Sequence, residues 1–138
     1  MPESDKTAPY FVLYFDNTRL STDLEASVKE VSVIDRINNP SKFMITVDDS
    51  EGTWIDSEDF FVGTKVKIAM GYKDDVTEIV QGEITGVIAI FNKAQGRVVT
   101  LQGYDCLHRL NRAKRTQAYS EMTYNDVISQ LMSDASVD

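Results

Sequence analysis

Cysteine is nearly missing from this chain of 138 residues, which holds one, Cys106. A lone thiol closes no internal disulfide, so a disulfide-stapled secreted module is excluded. Histidine is as scarce, with His108 alone. Cys106 and His108 do not make a metal site, because zinc takes about four ligands and the sequence has no further Cys or His to complete the set. No apolar run approaches the ~18 residues that a membrane-crossing helix needs. The opening MPESDKTAP has neither the basic start nor the apolar centre of a secretion signal. Cations are outnumbered, 14 Lys and Arg against 22 Asp and Glu, for a formal charge of −8. Such a balance repels phosphate backbones and anionic lipid unless the few cations cluster. A phosphate-cradling glycine loop, a dinucleotide fingerprint and a serine nucleophile elbow are all missing as well. The expectation is a chain without enzyme activity, cofactor or metal, made in the cytoplasm, with no nucleic acid as ligand and no insertion into a membrane.

What is present is strand chemistry. After a polar stretch, residues 1–9, expected to form a mobile tail, Tyr10–Phe15 (YFVLYF) is apolar on both alternate faces. A strand of that kind is covered on both sides, by its own core or by a partner. Asp16-Asn17 supplies a turn, and Leu20–Leu24 leads into a polar loop. Val28–Ile37 and Lys42–Val47 flank Asn38-Asn39-Pro40 and read as an antiparallel hairpin, with Phe43, Ile45 and Val47 in clean alternation. Val66–Tyr72 alternates too. A long run, Val76–Phe91, contains Gly82 and Gly86, and glycines inside a strand mark bulges or bends. Asn92–Gly96 turns into a last strand, Arg97–Tyr104. Six main strands at short spacing predict a mainly β fold, a small antiparallel split barrel over 10–104, with a two-sheet sandwich as the alternative. Residues 105–138 are expected to form a short helical extension, the truncated start of a further domain. Asp105 stands at a cap position ahead of Leu107 and Leu110, and Thr123 with Asp126 approximates a capping box ahead of Val127, Ile128 and Leu131.

Two segments carry charge of one sign. Asp48–Asp59 has six carboxylates and no cation. The order Asp48, Asp49, Glu51 does not fit a calcium loop, so a solvated acidic loop around Trp54 is the reading. Arg109, Arg112, Lys114 and Arg115 form the opposite cluster, which is either a solvated helix end or an anion-docking site. An oligonucleotide-binding barrel is the alternative function, although such barrels interleave aromatics with their cations and Lys65 and Lys67 lack that interleave. A cell-wall hydrolase has no supporting acid pair.

The order of features over residues 10–135 resembles the hub proteins of contractile phage tails and related injection systems, the late control protein D and VgrG-type families. The matching pieces are VGTKVKI from Val62 to Ile68, Gly71-Tyr72, IVQGEITG from Ile79 to Gly86, VVTLQGYD from Val98 to Asp105 leading to Leu107 and Leu110, and MTYNDVI from Met122 to Ile128. The resemblance implies a structural baseplate hub in a virion tail or injection particle. It would be a homotrimer joining the tail tube protein to the spike and other baseplate proteins. In such a ring, head-to-tail contacts need complementary surfaces. Arg109, Arg112, Lys114 and Arg115 would then face Asp56, Glu58 and Asp59 of a neighbour, with Tyr10, Val12 and Tyr14 as the apolar part of that interface.

Overall fold

Seven strands form one antiparallel sheet in a computed structural model, which describes residues 9–72, 75–94, 96–112, 114 and 116–136. The tail expected at the N-terminus lies, apart from Pro9, outside the described residues. In chain order the elements are β1 (Pro9–Phe15), β2 (Thr18–Arg19), α1 (Thr22–Ser27), β3 (Val28–Ile34) and β4 (Lys42–Asp48). They continue with β5 (Lys65–Tyr72), β6 (Asp75–Asn92), β7 (Gly96–Asp105) and α2 (Tyr124–Asp134). Short 3-10 helices lie at Glu58–Phe60 and Cys106–Asn111.

The sheet runs β2-β1-β5-β6-β7-β4-β3. The mainly β, antiparallel reading holds, but the barrel is not closed. β2 and β3 stand at opposite ends of the order and no ladder joins them. Curvature instead comes from β6, whose first half pairs with β5 and whose second half pairs with β7. One strand thereby serves both halves of the sheet. Leu13, Phe43, Ile45, Ile68, Ile84 and Leu101 are fully buried and belong to a single core cluster. A flat sheet with only a six-residue helix above it could not enclose such a cluster, so the sheet wraps around its own side chains.

Gly82 and Gly86 do not play the part their sequence context suggests. The extra residues fall at Ile79, where the β5 register shifts, and at Thr85, where the β7 register shifts. Neither glycine is among those with positive φ. Their reason is proximity. A Cβ on Gly82 would sit 2.2 Å from the Tyr104 carbonyl oxygen, and one on Gly86 would sit 2.8 Å from the Gln102 side chain.

The helical pieces are set by caps. Asp105 accepts from Leu107 N at 3.0 Å and from Ser41 N at 3.0 Å, so one carboxylate starts the 3-10 helix and ties it to the chain entering β4. Thr123 and Asp126 form the full reciprocal capping box of α2. Helix α1 replaces the loop expected after Leu20. Ser21 accepts from Leu24 N and caps it, and Leu24 is its one buried residue. Six residues with a single core contact leave no period to detect, which is why the sequence hides this helix.

Candidate functional site

The acidic segment 48–59 is not uniformly solvated. Asp49 is buried, 1% exposed, and organises the loop that follows β4. Its carboxylate accepts from Trp54 N at 2.7 Å and Ile55 N at 3.2 Å, and pairs with the Arg97 guanidinium at 3.1 Å. The same guanidinium lies 5.6 Å from the centre of the Phe91 ring. Gly52, at φ +74°, makes the turn, and Gly52 N donates to the Asp49 carbonyl at 2.9 Å. A side chain on Gly52 would crowd Arg97, with a Cβ 3.1 Å from Nη1. This network places Trp54, the chain's one tryptophan, beside α1. The indole Nε1 donates to Ser27 Oγ at 3.2 Å, and Ser27 Oγ donates to the Asp23 carbonyl at 2.9 Å. Asp49→Asn should cost about 2 kcal/mol, because the amide cannot offer two acceptor oxygens to backbone N–H groups while neutralising Arg97. Urea unfolding followed by Trp54 emission checks this, and an unchanged midpoint would contradict the role assigned to Asp49.

Beside Trp54 opens a trough of about 680 Å³ whose walls include Asp23, Lys29, Asp48, Ser50 and Glu51. Hydrogen bonds from Ser50 hold the Asp48 carboxyl below its ordinary value, and Lys29 faces it at 3.6 Å. On the other side of α1 lies a second trough of about 730 Å³, with Tyr10, Phe11, Arg19, Thr22 and Glu25 in its wall. There Arg19 donates to the Tyr10 hydroxyl at 2.7 Å and pairs with Glu25 at 3.6 Å. Ala26 lines both troughs. Chemically the walls offer aromatic carbon, hydroxyls and ionised carboxylates, with each lining cation already opposite a carboxylate.

The basic segment folds inward. Glu83, 5% exposed, receives Arg109 through two hydrogen bonds of 2.6 and 3.1 Å and Arg112 at 3.3 Å. His108 Nε2 stands 3.0 Å from the same carboxylate, while His108 Nδ1 lies 2.7 Å from the Asp105 carbonyl. Arg109 also reaches the Ser136 carbonyl, beyond α2. Arg109 is therefore engaged against the fold, whereas Arg112 touches the same carboxylate from an exposed position. Lys114 is exposed and Arg115 lies outside the described residues. Asp56, Glu58 and Asp59 are exposed, Tyr10 is partly exposed, Tyr14 is half-buried, and Val12 is buried. Val12 is thus no surface residue, although Tyr10 on the same face of β1 stays exposed. Among the described residues expected at an interface, Tyr10 lines one of these two troughs. Among the described residues no three of His, Cys, Asp and Glu stand together so as to hold a metal ion. No helix among them is long and apolar enough to cross a membrane.

A family model, the Alg8 N-terminal domain, matches residues 7–138, nearly the whole chain. The chain belongs to the Alg8 N-terminal domain family. No curated protein matches it. The Alg8 assignment overturns the resemblance to tail hubs, and with it the structural role in a baseplate, the spike and tail-tube partners, the homotrimer and the virion location. The oligonucleotide-binding alternative is not supported either, and the reading of a chain outside any enzyme falls too. The physical reason for the mistaken resemblance is that its matching pieces are alternating strands, internal glycines and a capped helix start. Any curled antiparallel sheet followed by a capped helix produces that order.

Proposed function

We propose that this Alg8-type domain works in a glycosyltransferase as the part that holds a saccharide. The observation that carries this reading is the family match over residues 7–138, since the Alg8 family is one of glycosyltransferases. The troughs beside α1 support it. A saccharide presents many hydroxyl donors and acceptors together with flat C–H faces. Ionised carboxylates accept hydrogen bonds from hydroxyls and make them stronger than neutral acceptors do. Aromatic side chains cover C–H surface while their polar ends stay paired, as Trp54 does through Ser27 and Tyr10 through Arg19. Each trough also falls within the few hundred to ~1,000 Å³ common for small-ligand sites.

The test is affinity electrophoresis of the 138-residue chain in native gels cast with soluble polysaccharides, neutral and acidic. Retardation by at least one polymer, relative to a gel without polysaccharide, is expected. Equal mobility in every gel would overturn the reading.

A further inference from the structure

A strand without a neighbour presents backbone N–H and C=O groups ready to pair with another chain. Folded proteins blunt such edges with charge, proline, bulges or brevity. Most free edges of this sheet are blunted in those ways. β3 carries Lys29 and Glu30 at exposed positions. β1 begins at Pro9, and β2, which borders its other end, is two residues long and includes Arg19. The first half of β6, residues 75–81, pairs with β5 alone, carries Asp75 and Glu78, and is bulged at Ile79. The second half is different. Over residues 87–91 the strand pairs with β7 on one side, and among the described residues no ladder borders its other side. In an antiparallel ladder every second residue turns both backbone groups away from its partner, so roughly two or three of these residues offer them outward. The run Val87-Ile88-Ala89-Ile90-Phe91 has no charge, no proline and no register shift. Ile88, Ile90 and Phe91 are 44%, 46% and 70% exposed.

We propose that this edge is an interface between two copies of the chain, which pair antiparallel through residues 87–91 about a two-fold axis at Ala89. The occupant follows from the chemistry of the edge. Outward N–H and C=O groups at strand spacing are satisfied along their length by another extended backbone. Its side chains must be uncharged and suited to a pleated surface, which β-branched residues fit well. The segment meets its own requirement. With Ala89 opposite Ala89 of a second copy, Ile88 faces Ile90 and Val87 faces Phe91, in both directions. Residues directly opposite share a face, so Ile88 and Ile90 of the two copies form one apolar patch. The nearest charge, Lys93, falls opposite Thr85, so like charges do not meet. Because both copies use the same edge, the contact is self-complementary and closes at two, unlike a head-to-tail ring. It lies apart from the troughs beside α1, none of whose lining residues belongs to β6. The net charge of −8 on each copy opposes the approach at long range, a repulsion that salt screens.

A contact built on one strand pair lies at the small end of interface sizes, so the dimer is weak. Sedimentation equilibrium of the 138-residue chain, from about 5 to about 500 μM, should fit a monomer–dimer equilibrium with Kd on the order of 10 to 100 μM. Added salt should tighten it, the opposite of what an ion-paired contact shows. Ile90→Lys and Ile88→Glu, each alone, should weaken the dimer by roughly tenfold or more. Both residues are half-exposed, so the fold should persist, and an unchanged urea midpoint verifies that. Mixing the two variants should restore pairing between them, because the register sets positions 88 and 90 opposite each other. Ile128→Lys, at an exposed position on α2, is the control and should leave the dimer as it was. A monomer at every concentration would overturn the proposal. A dimer weakened by Ile128→Lys and untouched by Ile90→Lys would do the same, since its contact lies elsewhere. Open-ended aggregation would contradict a two-fold contact, which closes at two copies. Weakening by each variant with no recovery in the mixture would refute the antiparallel register centred on Ala89.

Discussion

Glu83→Ala is expected to lower the unfolding free energy by about 3 kcal/mol, the lower end of what removing one partner of a buried ion pair costs. The carboxylate is 5% exposed and is the shared acceptor of Arg109, Arg112 and His108. Without it the Arg109 guanidinium, whose side chain is 23% exposed, is left between the strand and the 3-10 helix with its main counter-charge gone. Arg112 is 64% exposed and returns to water at little cost, which keeps the total at the lower end. Arg109 also holds the Ser136 carbonyl, so the segment after α2 should loosen along with the 3-10 helix. Urea unfolding followed by far-ultraviolet circular dichroism reads the global loss, and hydrogen exchange at Leu107–Asn111 reads the local one. The acid side gives an independent check. The hydrogen bond from Arg109, ahead of its charge and those of His108 and Arg112, holds the Glu83 carboxyl below its ordinary value of 4.5. A carboxyl with a lowered folded pKa adds stability that is complete above the unfolded value and disappears as the pH falls through the folded one. The wild-type chain should therefore lose part of its stability as the pH drops below about 4.5, and Glu83→Gln should lack that part of the loss. Parallel stability curves for the two proteins across that window would show that Glu83 is not an ionised anchor.

Gly103→Val should be more damaging still, at about 3 kcal/mol or more, above the usual range for overpacking because the obstruction is partly backbone. A Cβ at Gly103 would stand 2.2 Å from the Glu83 carbonyl oxygen and 2.3 Å from Cζ of the buried Phe43. On the facing strand Gly103 pairs with Ile84, and two residues earlier Gly82, paired with Asp105, would carry a Cβ 2.2 Å from the Tyr104 carbonyl oxygen. The two glycines let the backbones of β6 and β7 close on each other at the point where β6 passes from one half of the sheet to the other. That approach also sets Glu83 beneath the 3-10 helix that follows β7. Gly82→Val should thus destabilise as well, through contact and not through backbone conformation. Gly63, at φ +99° with nothing within 4 Å of a built Cβ, is the control. Gly63→Ala meets only backbone strain, and should cost about 1 to 2 kcal/mol. Equal losses for Gly63→Ala and Gly103→Val would refute close approach as the cause.

Much of the sheet is legible from local pattern. Phe43, Ile45 and Val47 alternate in sequence and are alternately buried in β4. Asn38-Asn39-Pro40 separates β3 from β4, and Asn38 has φ +64°, a conformation asparagine tolerates better than most residues. The caps at Asp105 and Thr123 follow from residue type and position because each acts within three residues of itself. The fate of the charged groups was not legible. Asp49 and Asp48 are neighbours of the same type, yet one is buried under Arg97 and the other faces Lys29 and Ser50. Glu83 reads as one more polar residue in a long strand, and its partners lie 25 to 29 residues later.

The sequence by itself determined most of the segments that extend, the turns between them, the caps at Asp105 and Thr123 and the acidic net charge. These follow from side-chain period, turn chemistry and composition, which act over a few residues. Only the tertiary structure decided that the sheet stays open, that Arg109 and Arg112 meet Glu83, and that residues from β1, α1 and the loop after β4 line the two troughs beside α1. Those outcomes depend on which distant strands pair and on what charge each buried group then meets. Local pattern is the same whether a cation ends beside a carboxylate of its own chain or in water, and packing alone separates the two.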